Sequence, residues 1–473
     1  MKVLLVNPSI TPVEVYGRYS AGAPCLPPLG LCYLAAVLLE KGHSAKILDC
    51  AAEKIPLAGL GDEIRAFEPD VLGVTATTVS YPAARAVLSA AKAIDPHLPT
   101  VLGGAHICAL PLPTMDENPG LDIGVIGEGE TTLLEIVECL ERGAPASEIA
   151  GTLVRREGRI VSNPPRQALA SLDELPFPAR HLLKDLRLYS HTPFRGAKFT
   201  TTMITSRGCP LHCGYCDQSV FGREWRPHSP EYVVSEMAHL KERYGVDFVS
   251  FEDDNFLLSK KRTAEICERM IGRGLDLSWS CLGHASEVDE SVLPLMKKAG
   301  CKNVYVGVES GSPRMLALID KRFGIEATRR GIEKIKKFGI HVTGSFILGL
   351  PTETEDEIDR TIDLALSLPL DGVSFFLFTP FPNTPLRELA LRHGRVSPSW
   401  ENYSTHPGHL SFIPDGMDEE LLLRKQAEAY RRFLLRPGYL ARHLGMFSNR
   451  RAVSKGLAFV RSLLKAPRAG KRD

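Results

Sequence analysis

Three cysteines in one short stretch constrain this chain more than any other feature: Arg207-Gly208-Cys209-Pro210-Leu211-His212-Cys213-Gly214-Tyr215-Cys216. The spacing is C-x3-C-x2-C, with an aromatic residue just before the third cysteine. Gly208, Pro210 and Gly214 favour a wrapped loop over a helix. Three thiolates on such a loop can ligate three corners of an iron–sulfur cube. Clusters are usually held by four cysteines, and the next one along the chain is Cys267. One iron is then left open, as a site for chemistry as well as electron transfer. The alternative is a zinc knuckle or a set of inert thiols. Zinc wants four closed ligands in C-x2-C pairs, and His212 lies between two cysteines, where it cannot easily join.

Residues 1–145 alternate strand and helix signals. Val3-Leu4-Leu5-Val6 is an apolar run suited to a buried parallel strand. A helix then carries Leu31, Leu34, Ala35 and Leu38 on one face and stops at Gly42. Further strands are expected at 45–48, 71–74, 100–102 and 123–126. Strands joined by crossovers imply a doubly wound sheet, whose ligands bind outside the carboxyl ends of the strands. Those ends run into Thr75-Ala76-Thr77-Thr78, Gly103-Gly104-Ala105-His106 and Gly127-Glu128-Gly129-Glu130. Small residues there let a large ligand approach the backbone; equally, each stretch could be no more than a tight turn. No G-x-G-x-x-G follows the first strand, which disfavours a dinucleotide.

Residues 146–195 read as a linker, with a hairpin signal at Glu157-Gly158 and a Pro-rich stretch, Leu175-Pro176-Phe177-Pro178. From 196 to 380 a strand–helix unit repeats. Its strands are expected at 200–205, 248–251, 277–281, 303–307, 341–348 and 372–378. The helix 230–244 is well marked: Ser229 caps it, Pro230 opens it and Gly245 ends it. Six such units suit a partial (β/α)6 barrel, with the site at the carboxyl ends of the strands. Acids stand at those ends in Glu252-Asp253-Asp254-Asn255, Glu309-Ser310-Gly311 and Gly349-Leu350-Pro351-Thr352-Glu353. A single acid of this kind is usually a solvated loop carboxylate; three at strand ends of one barrel point to a site.

The cysteine triplet resembles that of the radical S-adenosylmethionine (SAM) enzymes. Leu26-Pro27-Pro28-Leu29-Gly30-Leu31, Leu102-Gly103-Gly104-Ala105-His106 and Gly127-Glu128-Gly129-Glu130-Thr131 resemble the cobalamin-binding domain of one subfamily, which includes the anaerobic Mg-protoporphyrin ester cyclase and the hopanoid methylases. The resemblance implies an α/β chain. A Rossmann-like cobalamin-binding domain spans 1–145, a linker 146–195, a radical SAM core barrel 196–395, and a helical, basic extension 396–473. It implies a 4Fe–4S cluster on Cys209, Cys213 and Cys216, with SAM chelated on the open iron and cleaved reductively to a 5′-deoxyadenosyl radical. It places Glu309, Ser310, Asp253 and Gly349-Leu350-Pro351 beside SAM, and Thr75, Gly103, Gly104, Gly127, Glu128 and Gly129 beside cobalamin. His284, where relatives often carry Arg, receives no role. Many cobalamin domains carry D-x-H-x-x-G after the first strand; here that loop reads Asn7-Pro8-Ser9-Ile10-Thr11. Cobalamin would therefore bind without a protein imidazole on cobalt, or not at all.

Three functions compete. The first is a cobalamin-dependent methylase acting on an unactivated carbon. The second is a radical SAM cyclase, a rearrangement catalyst or a carbon–carbon bond former. The third is a non-catalytic iron–sulfur electron-transfer or binding protein. An electron donor such as flavodoxin or ferredoxin is expected as a partner, and the substrate is expected to be a small molecule. The chain has 473 residues, 44% hydrophobic and 24% charged, which fits an ordinary globular protein. Eight of its eleven cysteines are scattered, as free thiols of a reducing cytoplasm would be. No leader-like run opens the chain, and no stretch is apolar enough to span a membrane. Residues 431–473 hold twelve Lys/Arg against the single acid Asp473, while the whole chain carries only +1. Leu440, Leu444, Phe447, Leu457 and Val460 interleave with Arg442, Arg450, Arg451, Lys455 and Arg461, a pattern that suits a helix lying on an anionic bilayer and a lipid-like substrate. A solvated helix packed on the acidic remainder of the chain is the plainer reading. Nucleic acid is not expected, since few aromatics are interleaved to stack bases.

Overall fold

The computed structural model describes residues 1–10, 25–189, 197–404 and 410–439. The tail pattern from Leu440 onward lies outside the described residues. The first sheet has seven strands in the order β2-β1-β3-β4-β5-β6-β7. β1 (Lys2–Asn7), β2 (Ser44–Asp49), β3 (Val71–Thr75), β4 (Thr100–Gly103) and β5 (Ile123–Val125) are parallel. In β1, Val3 and Leu5 enter one apolar cluster and Leu4 and Val6 the other. Strand alternation explains this: both faces are covered, so the run is apolar throughout. Helices Leu29–Glu40 and Glu130–Glu141 cover the first face; Leu60–Phe67 and Tyr81–Ile94 cover the second.

The hairpin expected in the linker is part of this sheet. β6 (Thr152–Arg156) pairs antiparallel with β5, with Val154 opposite Ile123, and β7 (Arg159–Ser162) follows it. Glu157 and Gly158 both take positive φ, as the tight hairpin turn requires. The turn is a local signal; its pairing with a strand far back in the chain is not.

The second sheet runs in chain order. β8 (Thr200–Met203), β11 (Phe248–Phe251), β12 (Ser278–Gly283), β13 (Cys301–Glu309), β14 (His341–Leu348) and β15 (Gly372–Leu377) lie side by side and parallel. Between β8 and β11, the two-residue strands β9 (Ser206–Arg207) and β10 (Arg226–Pro227) pair with each other. One face carries Val249, Phe251, Trp279, Val304, Val342, Phe346 and Phe375 against helices Pro230–Tyr244, Lys260–Gly272, Ile325–Lys337 and Glu355–Ser367. The other face is the inside of a half-barrel. Helix Pro230–Tyr244 ends as the sequence predicts: Ser229 accepts from the Tyr232 N–H, and Gly245 sits at φ +72° with its N–H turned back on Leu240 and Lys241. At the far edge, helix Glu419–Leu434 covers β15. Tyr430 Oη accepts from the Phe375 N–H at 3.0 Å, and Gln426 donates to the Phe375 carbonyl at 2.8 Å. β16 (Gly394–Val396) and β17 (Phe412–Pro414) form a small hairpin beside them.

The segment between the sheets is anchored by a buried ion pair. Arg180 lies 2.7 Å from Glu236 and donates to the Thr202 carbonyl at 2.9 Å; its side chain is 1% exposed and that of Glu236 0%. Removing one partner leaves an uncompensated buried charge. Arg180→Ala is therefore expected to cost about 3–5 kcal/mol, read as a lower midpoint in urea unfolding. An unchanged midpoint would show that water reaches Glu236.

Candidate cofactor sites where the two sheets meet

The carboxyl ends of β3 and β4 and the loop after β5 open into a cavity of about 820 Å³, its open mouth included. Thr75, Gly103, Gly104, Gly127, Glu128 and Gly129 all line it, so the six sequence-predicted residues of this sheet come together. Leu5, Leu31, Leu34, Val101 and Val125 make the rest of this side apolar. The far wall comes from the segment that follows β8: Ile204, Arg207, Val220 and Phe221. At Gly103 and Gly127 an added Cβ would find its nearest neighbour only at 3.9 Å, so it would stand in the cavity. Gly104 is a glycine for another reason. Its φ is +103°, and a Cβ would sit 2.6 Å from the Ala76 carbonyl oxygen. A broad apolar pocket with a bare floor fits a large planar ligand. No histidine lines it among the described residues. His106 is instead stacked on Tyr81 at 3.7 Å, bonded to Thr78 and covered edge-on by Trp400; burial lowers its pKa to about 4.

Glu128, at the cavity wall, also has partners within the protein. Its carboxylate lies 3.1 Å from Arg207 and also pairs with Arg226, while Glu130 lies 2.6 Å from Arg207. These side chains are nearly all buried, and they bolt the first sheet to the strand pair β9–β10. That pair clasps the base of the cysteine loop. Gly208 follows at φ +82°, where a Cβ would sit 2.2 Å from the Glu224 carbonyl oxygen. Further along, the Gly214 N–H donates to the Ile319 carbonyl at 2.9 Å, and Gln218 donates to the carbonyls of Cys209 and Leu211. His212 is exposed and bonded to Arg223, away from the cysteines' role.

Cys209 is buried, Cys213 half-buried and Cys216 exposed. Burial pushes the thiols of Cys209 and Cys213 up. Iron binding displaces those protons.

The strand-end residues divide by role. Asp253 is 1% exposed and accepts from the Thr205 N–H, the Thr205 hydroxyl and the Ser206 hydroxyl, each at 2.6 Å. It fastens the segment leading into the cysteine loop rather than facing a ligand. Asp254 is exposed and accepts from the Gly208 N–H. Glu309 is buried at φ +68°, at a break in the β13–β14 register. Its Oε1 accepts from Tyr215 at 2.8 Å and from Lys321 at 2.9 Å. Ser310 turns its hydroxyl to Thr361 and the Ser312 N–H, an internal role. Glu353 closes the Gly349-Leu350-Pro351 loop, accepting from the amides of Gly349 at 2.6 Å and Leu350 at 3.0 Å. Sequence reasoning missed Lys321, Arg226 and Glu353's capping role; only the geometry shows their partners.

The chain matches the Radical SAM superfamily over residues 203–365 and the B12 binding domain over residues 21–137. It is 37% identical to an uncharacterized methyltransferase of Pyrococcus horikoshii, covering 94% of this chain and 95% of that one. It is 29% identical to the anaerobic magnesium-protoporphyrin IX monomethyl ester cyclase of Rubrivivax gelatinosus, over 93% of this chain and 78% of the relative. Its fold is that of a radical SAM methyltransferase of Kitasatospora setae solved with cobalamin and a [4Fe-4S] cluster: TM-score 0.70, 20% identity, 92% of this chain and 89% of that one. The chain belongs to the cobalamin-dependent radical SAM methyltransferases. Its cofactors are the 4Fe–4S cluster, SAM and cobalamin.

Two outcomes follow from this geometry. Gly208→Ala forces a Cβ against Glu224 in a left-handed conformation, at a local cost of about 1–3 kcal/mol. After anaerobic reconstitution the variant is expected to hold less iron per chain; loading equal to the parent would contradict the tight turn. Burial pushes the Glu353 carboxyl up to about 8, against the opposing amides of Leu350 and Gly349. An unfolded Glu ionises near pH 4.3, so between these values the folded chain holds a proton that the unfolded chain releases. Stability from this group is full below about 4.3 and is lost as pH rises toward 8. The melting temperature should fall across that range more steeply than in Glu353→Gln, whose carbonyl still accepts both amides; parallel curves would refute the assignment.

Proposed function

We propose that this enzyme transfers a methyl group to an unactivated carbon of a small molecule. The observation that carries the reading is the shared wall: Arg207, Val220 and Phe221, which flank the cysteine triplet, also line the cavity expected to hold cobalamin. SAM, the cluster and cobalamin supply hydrogen abstraction and the methyl group when bound; the protein's part is to place them. Cys209, Cys213 and Cys216 hold the cluster. Glu309, oriented by Lys321 and Tyr215, and the backbone of Gly349–Pro351, set by Glu353, flank SAM. Thr75, Gly103, Gly104, Gly127 and Gly129 would form the floor under cobalamin, and no histidine among the described residues lines that cavity. Ser310, Asp253 and Glu128 support these positions through their neighbours.

The reductive step calls for an electron donor of flavodoxin or ferredoxin type. No helix among the described residues is long and apolar enough to cross a membrane; peripheral contact through the tail from Leu440 onward is a separate proposal. The cyclase relative supports a second reading, radical chemistry without methyl transfer.

Reconstituted enzyme given SAM, reductant, cobalamin and host-cell metabolites is expected to form S-adenosylhomocysteine together with 5′-deoxyadenosine, and Cys213→Ala should abolish the latter. Deoxyadenosine without S-adenosylhomocysteine would favour the second reading. Normal SAM cleavage by Cys213→Ala would overturn both.

A further inference from the structure

We propose that the substrate is a water-soluble metabolite and that Glu252 receives its hydrogen-bond-donating head, an ammonium or a hydroxyl, inside the half-barrel. The inference rests on the radical SAM reading above and names the substrate class of that site.

The inner face of the second sheet can be traced by register. Ser250 lies opposite Ser280, Tyr305 opposite Thr343, and Ser345 opposite Ser374. Strand alternation puts all six on one face, opposite the apolar face that meets the helices. Complete barrels of this kind fill their interior with branched apolar side chains. Here the lining is hydroxyl-rich, and Tyr305, Thr343, Ser345 and Ser374 are only half-buried. Thr343 bonds Asn303 and Ser345 the Val306 carbonyl, and Leu282, Ile347 and Phe376 share the face; the group that an apolar lipid chain would strand is the Glu252 carboxylate, at a cost.

Glu252 continues this face two residues beyond Ser250, at the carboxyl end of β11, and its N–H pairs with the Met203 carbonyl at 2.8 Å. Ser280 donates to Ser250 at 3.1 Å, and Ser250 in turn bonds the Glu252 carboxylate. Its Oε1 is buried with no hydrogen-bond partner. No basic side chain is among the groups acting on this carboxyl. Burial raises its pKa, and Asp253 raises it further. Tyr305 stands close enough that Glu252 adds to the burial that pushes its phenol up to about 12. A half-buried carboxylate with one oxygen unpartnered, beside the hydroxyls of Ser250 and Tyr305, is a receptor for a donor group. Asp253 beside it is saturated by Thr205 and Ser206, so Glu252 is the acid of this pair left to bind a ligand.

The test supplies trideuteromethyl SAM and reductant to the reconstituted full-length enzyme, with aqueous and organic extracts of host cells offered separately and analysed by mass spectrometry. Label should enter a water-soluble amine or alcohol. Glu252→Gln should raise KM for that compound about tenfold or more while the dissociation constant for SAM stays unchanged. Should Glu252→Gln not fold, Tyr305→Phe removes one of those two hydroxyls and should raise KM in the same direction. Label in an organic-phase lipid, or a loss of SAM affinity in Glu252→Gln with KM unchanged, would overturn the proposal. A water-soluble amine or alcohol altered without gaining label would uphold the role of Glu252 and overturn methyl transfer instead.

Discussion

The seam between the two sheets depends on Arg207. Its guanidinium is 4% exposed, lies against Glu128 and Glu130 from the first sheet, and is flanked by the rings of Tyr33 and Phe221. A charge so far from water is tolerable only when its partners are present and well placed. Arg226 completes the cluster on Glu128. The strand pair that carries both arginines is also the clasp of the cysteine loop. The electrostatics that join the sheets therefore also set where the loop begins.

The acids at the strand ends show how a barrel rim builds a site from buried carboxylates with distinct tasks. Asp253 binds the segment entering the loop. Glu309 gathers Tyr215 from the loop and Lys321 from beyond β13. Glu353 folds its own loop shut. Each lies in low dielectric, where a satisfied carboxylate holds its neighbours firmly and an unsatisfied one is costly. Glu252 and Glu353 each keep one buried oxygen without a protein donor, but the other oxygen of Glu353 accepts from two amides of its own loop, whereas Glu252 stands at the end of the half-barrel's inner face.

Much of this was legible in the chain. The β1 run, the Ser229 cap and Gly245 stop, and the cysteine triplet are local signals, and strand alternation carries them directly into structure. The strand-end glycines were found because bare backbone at a switch point has a physical use. What was not legible is pairing over distance. Glu128 reads as a ligand contact, and nothing in the sequence announces that Arg207 and Arg226 also stand beside it. Lys321 reads as a surface lysine after a short helix; folding carries it under β13, where it is 3% exposed. The hairpin 152–162 reads as a linker because nothing near it states that β5 offers a free edge. Asp253 and Ser310 sit in motifs that suggest ligands, and their hydrogen-bonding atoms turn inward.

Val220 and Phe221 give the cavity a wall that belongs to the cluster loop. A loop held in one conformation by an occupant of the cavity has less freedom left to lose when iron arrives, and the converse is equally true. Thermodynamic reciprocity then requires the two loadings to favour each other by the same factor. Maturation of such a protein is a cooperative event, and a preparation starved of one cofactor should be poor in the other.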